Sequence, residues 1–211
     1  IAGYELAAQM QTAAAEALDI SGESEATKKL YGIDQKETKE YGTRCLIARR
    51  LVERGVRFVQ LFLNYQPWDN HTNITSALPA VCKRTDIPCA ALVKDLKQRG
   101  MLDDTLVLFT TEFGRTPFAQ SNADQVGPGR DHNKYGFSCW LAGGGVKAGF
   151  SYGKTDEIGW KTVKNPVHWH DFHATVLHLM GVDHKNLTFY HNGIERRLTN
   201  VHGHVAKGIF A

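Results

Sequence analysis

Long apolar runs are missing from this chain of 211 residues. No stretch reaches the roughly 18 consecutive apolar residues that a helical membrane span requires, so no such span is expected. Basic runs are missing too. Lys and Arg total 25 against 22 Asp and Glu, a net charge of +3, and they are scattered along the chain. A nucleic-acid partner, which needs a basic stripe or patch, is therefore not expected. Cysteine is scarce: Cys45, Cys82, Cys89 and Cys139 carry no thiolate-metal spacing. Cys82 and Cys89 fall in a segment expected to be helical, where seven residues span about 10 Å, too far for a disulfide. All four are read as small apolar residues for the interior. The Gly-rich stretch 143–145 lacks the Lys-Ser/Thr of a phosphate loop and is read as a turn. The chain has no signal-peptide pattern and opens at Ile1 rather than Met, so it is expected to be processed, trimmed or partial.

What is present is an ordinary globular composition, 42% hydrophobic and 22% charged, with length for one substantial core. Residues 1–54 read as a helical region, with segments at 4–18, 21–29 and 38–54, the last stopped by Gly55. Residues 56–63 (Val-Arg-Phe-Val-Gln-Leu-Phe-Leu) are short, β-branched and aromatic, the pattern of a strand buried on both faces. A helix is expected over 74–99, with an irregularity at Pro88 and a stop at Gly100. A second strand is expected at 104–111, a third apolar run at 137–142, and a helix over 169–180 closed by Gly181. Apolar segments alternating with helices predict one α/β domain over 1–211, a largely parallel sheet flanked by helices, with 1–54 as its helical N-terminal region.

In open α/β sheets, ligands collect beyond the carboxyl ends of strands. Asp69 and His71 follow the first expected strand, Glu112 and Arg115 the second, and Arg130, Asp131 and His132 precede the third. Carboxylates and imidazoles beside guanidinium groups suit a divalent cation acting on an anionic ester: Zn²⁺ or Mn²⁺ first, with Ca²⁺ or Mg²⁺ as alternatives. Asp69 and His71 stand at i and i+2, on one side of an extended segment. Asp131 and His132 would point apart on a strand but could both reach a cation from a bent loop. The whole reading requires Asp69 and His132 to share one ion.

Several segments together carry a resemblance: Ala48 to Gln60, Trp68-Asp-Asn-His71, Thr110-Thr-Glu-Phe-Gly-Arg-Thr-Pro117, Gly129-Arg-Asp-His132 and Leu141 to Lys147. They look like the bacterial sulfatase-like family catalogued as DUF1501, which resembles the alkaline-phosphatase superfamily. The resemblance implies a C-terminal portion of a metal-dependent hydrolase of phosphoric or sulfuric esters. It implies that the strand bearing the first metal-binding Asp and the nucleophile would lie upstream of Ile1. By the same resemblance Asp69, His71, Glu112, Asp131 and His132 are the metal ligands. Arg115 or Arg130 would clamp the anionic oxygens, Glu112 would double as general base, and the substrate would be a small-molecule or glycan anionic ester. A periplasmic or secreted location is also implied. Phe113 departs from the superfamily, which carries a His there, so the alternative is a non-catalytic sulfatase-like binding module with a degenerate metal site. No feature specifies an oligomeric state.

Eight of the ten histidines lie between His168 and His204. A second metal site on the helix from Trp169, using His170 and His173, competes with a polar helix face over an apolar stripe of Phe172, Val176, Leu177 and Met180. The stripe is the preferred reading. Tyr65, Trp68 and Trp140 could stack on a sugar ring and are read first as packing residues.

Overall fold

The computed structural model describes residues 15–122 and 125–211. The chain divides into two compact units, residues 1–99 and 100–211.

The first unit is helical. Residues 15–18 are helical, and the rest of the helix expected at 4–18 lies outside the described residues. Helix α1 (Glu25–Leu30) starts at Ser24, whose Oγ accepts the Thr27 N–H at 3.1 Å. Glu25 in its first turn and Lys28 and Lys29 in its last suit the helix dipole. Helix α2 spans Lys39–Glu53, and Gly55 beyond it holds φ +82, the left-handed stop expected there. Helix α3 spans Ile74–Gln98 and runs on through Pro79 and Pro88. Tyr31, Cys45, Leu46 and Ala91 form the core, with Ile33, Tyr41, Leu61 and Leu92 packed around it. Close approach of α2 to the end of α1 depends on Gly42, because a Cβ there would meet the Tyr31 carbonyl oxygen at 2.2 Å.

Charge is built into this core. Arg49, on α2, is 1% exposed. Its guanidinium reaches Glu23 at 2.7 Å and Asp95 at 3.0 Å, and it also pairs with Glu53. Arg50 reaches Glu23 at 2.6 Å, and Arg99 reaches Glu53 at 2.9 Å and Asp95 at 2.8 Å. Three carboxylates thus face three guanidinium groups, which is what lets charges leave water without a large penalty.

The segment 56–63 corrects the expected strand buried on two faces. It carries no regular secondary structure. Val59, Leu61 and Leu63 are half-buried and alternate with exposed neighbours, among them Phe58 at 65% and Phe62 at 66% exposure. The alternation is that of an extended segment with one covered face, and a continuous apolar run cannot distinguish the two.

The second unit is made of antiparallel pairs. Strand β1 (Val107–Phe109) pairs with β4 (Trp140–Ala142), and the Phe109 and Trp140 rings stack at 5.6 Å. Between them β2 (Gly114–Asn122) and β3 (Gln125–Asn133) form a hairpin. Strands β5 (Lys154–Thr155) and β6 (Thr162–Lys164) pair, as do β7 (Thr188–His191) and β8 (Ile194–Arg197). Helix α4 (Trp169–Leu179) precedes β7, and a 3-10 turn covers Lys207–Ile209.

The expected largely parallel sheet flanked by helices is therefore overturned: among the described residues every ladder is two-stranded and antiparallel. The reason lies in the connections. A parallel pair needs a crossover, usually a helix, whereas the chain between β1 and β4 folds into a hairpin. The two apolar runs do become strands, in part of their expected ranges, but they run in opposite directions. Gly143, Gly144 and Gly145 all take positive φ, which confirms the turn; a Cβ on Gly143 would meet the Leu102 carbonyl oxygen at 2.2 Å. The cysteines divide. Cys45 is buried and Cys89 half-buried, but Cys82 and Cys139 are exposed, against the expectation of an interior role for all four.

Candidate functional site

Asp69 and His71 sit in the polar connection before α3. Successive turns wind it: Asp69 N–H donates to Gln66 O, Asn70 N–H to Trp68 O and His71 N–H to Asp69 O, at 2.9–3.1 Å. The segment is thus turned rather than extended. It still brings the i and i+2 side chains together, with His71 Nε2 3.0 Å from Asp69 Oδ1. Both side chains are about one-third exposed, so the pair is open to a ligand. Between them Asn70 is 6% exposed. Its Nδ2 donates to Pro67 O at 2.9 Å, which fixes which end of the amide is oxygen. Its Oδ1 is buried and has no hydrogen-bond partner among the described residues. A buried acceptor left unmatched costs on the order of 1–3 kcal/mol.

The 3.0 Å spacing of Asp69 and His71 is that of an ordinary ion pair; it also matches two ligands of one ion, which at bond lengths of about 2.0–2.2 Å stand roughly 3.0–3.5 Å apart.

The other candidates lie on or beside the hairpin of the second unit. Arg115 stands opposite His132 in register. Arg115 Nη1 donates to Arg130 O at 3.1 Å, and Arg130 Nη1 reaches Thr116 O at 3.4 Å. Each guanidinium therefore staples the two strands. Asp131 and His132 sit on a strand, not in the bent loop considered for them, so they leave it on opposite faces. Both are exposed, and Asp131 Oδ1 accepts the His132 N–H at 2.7 Å. The His132 ring lies 4.0 Å from that of Phe113. Glu112 is exposed, and its carbonyl oxygen accepts the Trp169 indole N–H at 2.8 Å, tying the start of α4 to this edge.

A family model described as "Protein of unknown function (DUF1501)" matches residues 1–210. The chain belongs to the DUF1501 family. No curated protein and no solved structure matches it.

The histidines of this DUF1501 chain serve structure as well. His168 caps α4: its Nδ1 accepts the His170 N–H at 3.2 Å, and Asp171 accepts the His168 N–H at 3.1 Å. The His170 ring stacks between those of His168 (4.8 Å) and His202 (5.1 Å). His184 is buried, with Nδ1 2.9 Å from Thr199 Oγ1. In the apolar stripe Phe172, Val176 and Leu177 are half-buried, while Met180 is 46% exposed. Among the described residues no helix is long and apolar enough to cross a membrane.

Proposed function

We propose that this chain supplies part of a metal-dependent hydrolase of phosphoric or sulfuric esters, with the chemistry of the alkaline-phosphatase superfamily. The observation that carries the reading is the turn at residues 69–71. His71 Nε2 and Asp69 Oδ1 stand 3.0 Å apart on side chains that are each about one-third exposed. The motif resemblance, which makes Glu112 and, from opposite faces of β3, one of Asp131 and His132 further ligands, supports it. Zn²⁺ or Mn²⁺ suits this mixture of imidazole and oxygen better than Ca²⁺ or Mg²⁺. Such a cation polarises an ester oxygen when bound. The chain's own part is to hold anionic oxygens with Arg115 and Arg130, whose backbone anchors fix the two forks, and to move a proton at the exposed Glu112 carboxylate. A periplasmic or secreted setting belongs to the same proposal.

The test is metal analysis of the purified chain, followed by assays with aryl phosphate and aryl sulfate esters. About one equivalent of metal is expected. Asp69→Asn and His71→Ala should each reduce it at least tenfold, with circular dichroism unchanged. Asp131→Asn and His132→Ala probe the second set of donors in the same way. Unchanged metal content in all four variants overturns the assignment. Phe113 favours a second reading, since an apolar ring packs on His132 where the superfamily has another imidazole. Bound metal without ester turnover by the full-length protein, upstream strand included, would establish that reading, a binding module.

A further inference from the structure

A cavity of about 320 Å³ opens in the second unit beside His132. That is within the size range of small-molecule sites, roughly 300–1,000 Å³. Its walls include Phe113, Phe118, Tyr135 and Trp160, with Lys134 at its side. Trp160 is the centrepiece. Phe118 meets it edge-on at 5.2 Å and 82°, and Tyr135 at 6.4 Å and 83°. Despite these contacts Phe118 remains 44% and Tyr135 51% exposed. Aromatic surface left in water forgoes on the order of 25 cal/mol for each Å² that burial would gain, and a ligand that covers it recovers that energy.

The walls are held in place. Asn133 is 1% exposed; its Nδ2 donates to Trp160 O at 2.9 Å and to Gly136 O at 3.1 Å, and its Oδ1 accepts the Tyr135 N–H at 3.0 Å. From the other side Asp156 accepts the backbone N–H of Trp160 at 2.7 Å and of Lys161 at 3.0 Å. The backbone of Trp160 is thus gripped at both its carbonyl and its amide, and Tyr135 is tied to the same side chain. A site arranged in advance loses less ordering entropy on binding.

The rim is cationic. Lys134 Nζ lies 5.3 Å from the Tyr135 ring centre, and Lys161 Nζ lies 5.6 Å from it and 4.9 Å from that of Trp160. Two polar groups in the wall are already engaged. Asn133 is occupied as described, and Thr116 Oγ1 donates to Phe118 O at 2.8 Å and accepts the Asp131 N–H at 3.2 Å. A flat apolar ring would pack against the remaining surface of Phe113, Phe118, Tyr135 and Trp160.

We propose that this cavity binds a planar aromatic ring carrying an anionic substituent. The ring packs among Phe113, Phe118, Tyr135 and Trp160, and the anion lies toward Lys134 and Lys161. This goes beyond the hydrolase reading and does not rest on it, since the anion lies at Lys134 and Lys161 rather than at Arg115 and Arg130 and binding needs no metal.

The experiment is calorimetric titration of the chain, kept in chelator, with phenyl phosphate, cyclohexyl phosphate and inorganic phosphate. Phenyl phosphate is expected to bind at least tenfold more tightly than inorganic phosphate and several-fold more tightly than cyclohexyl phosphate. Phe118→Ala, at an exposed position that should leave folding intact, and Trp160→Leu should each weaken phenyl phosphate at least fivefold. Lys134→Glu should weaken phenyl phosphate but leave phenol unchanged. Equal binding of phenyl and inorganic phosphate, equal binding of the phenyl and cyclohexyl esters, or unchanged affinity in both Phe118→Ala and Lys134→Glu overturns the proposal.

Discussion

Tyr31 donates its phenolic hydrogen to Asp95 Oδ2 across 2.9 Å, joining the end of α1 to the end of α3. Burial first, and then the neighbouring Asp95 charge, push the Tyr31 hydroxyl well above its ordinary range, so it stays a donor at any working pH. Arg49 meets the same carboxylate with Nε at 3.0 Å, although not in hydrogen-bond alignment. Removing Arg49 would leave Glu23, Glu53 and Asp95 facing fewer cations inside the unit. Arg49→Ala is expected to cost about 3–5 kcal/mol and Tyr31→Phe about 1–3 kcal/mol in urea denaturation. The double variant should cost less than the sum, because both act on Asp95. A loss below about 1 kcal/mol for Arg49→Ala would show that this network does not hold the helices together.

Gly42→Ala tests the contact between α1 and α2. The added methyl would stand 2.2 Å from a backbone carbonyl that cannot swing away as a flexible side chain could. The helix-propensity gain of about 1 kcal/mol should be outweighed by overpacking of about 1–3 kcal/mol. A lower Tm is expected; a Tm that rises would mean the two elements separate more easily than drawn.

Acid should weaken the second unit in two steps. Burial and then the neighbouring His170 hold His173 below the ordinary imidazole value. At Asp171 burial raises the pKa, but the backbone N–H groups of His204 and His168 outweigh it and hold the carboxyl below its usual range. Both folded pKa values lie below the unfolded ones, so each contribution is complete above the unfolded pKa and is lost as pH falls through the folded one. Loss should begin below about pH 6.5 for His173 and below about pH 4 for Asp171. A falling Tm between pH 7.5 and 5.5 that flattens in His173→Gln supports this; an unaltered slope in that variant contradicts it.

The exposed faces of Phe58 and Phe62 should be expendable to folding. Phe58→Ser with Phe62→Ser is expected to change stability by less than about 0.5 kcal/mol for each residue. Solubility on concentrating should improve. A large fall in Tm would show that these rings are covered in the folded chain.

Local signals were legible and distant ones were not. Gly55, Gly100 and Gly181 all adopt the positive φ that stops a helix, and α2, α3 and α4 end within a residue or two of where those glycines place them. The hairpin of β2 and β3 went unread because Pro117, Gly127, Pro128 and Gly129 make the sequence look like loop. Strand direction is set by which segments meet, and no residue in Val107–Phe109 or Trp140–Ala142 encodes that by itself. At the candidate site the pairing of Asp69 with His71 was suggested by their two-residue spacing, but it is made by successive turns rather than by the extended segment that spacing assumes. The opposed faces of Asp131 and His132 follow from a strand the sequence conceals.

The donors Asp69 and His71 stand two residues apart, and this bears on thermal behaviour. Groups joined by two peptide bonds remain neighbours after the chain melts, so an ion they attract would retain affinity for the denatured ensemble. Such an ion would raise the melting temperature by less than its affinity for the native chain suggests, because only preference for the native state counts.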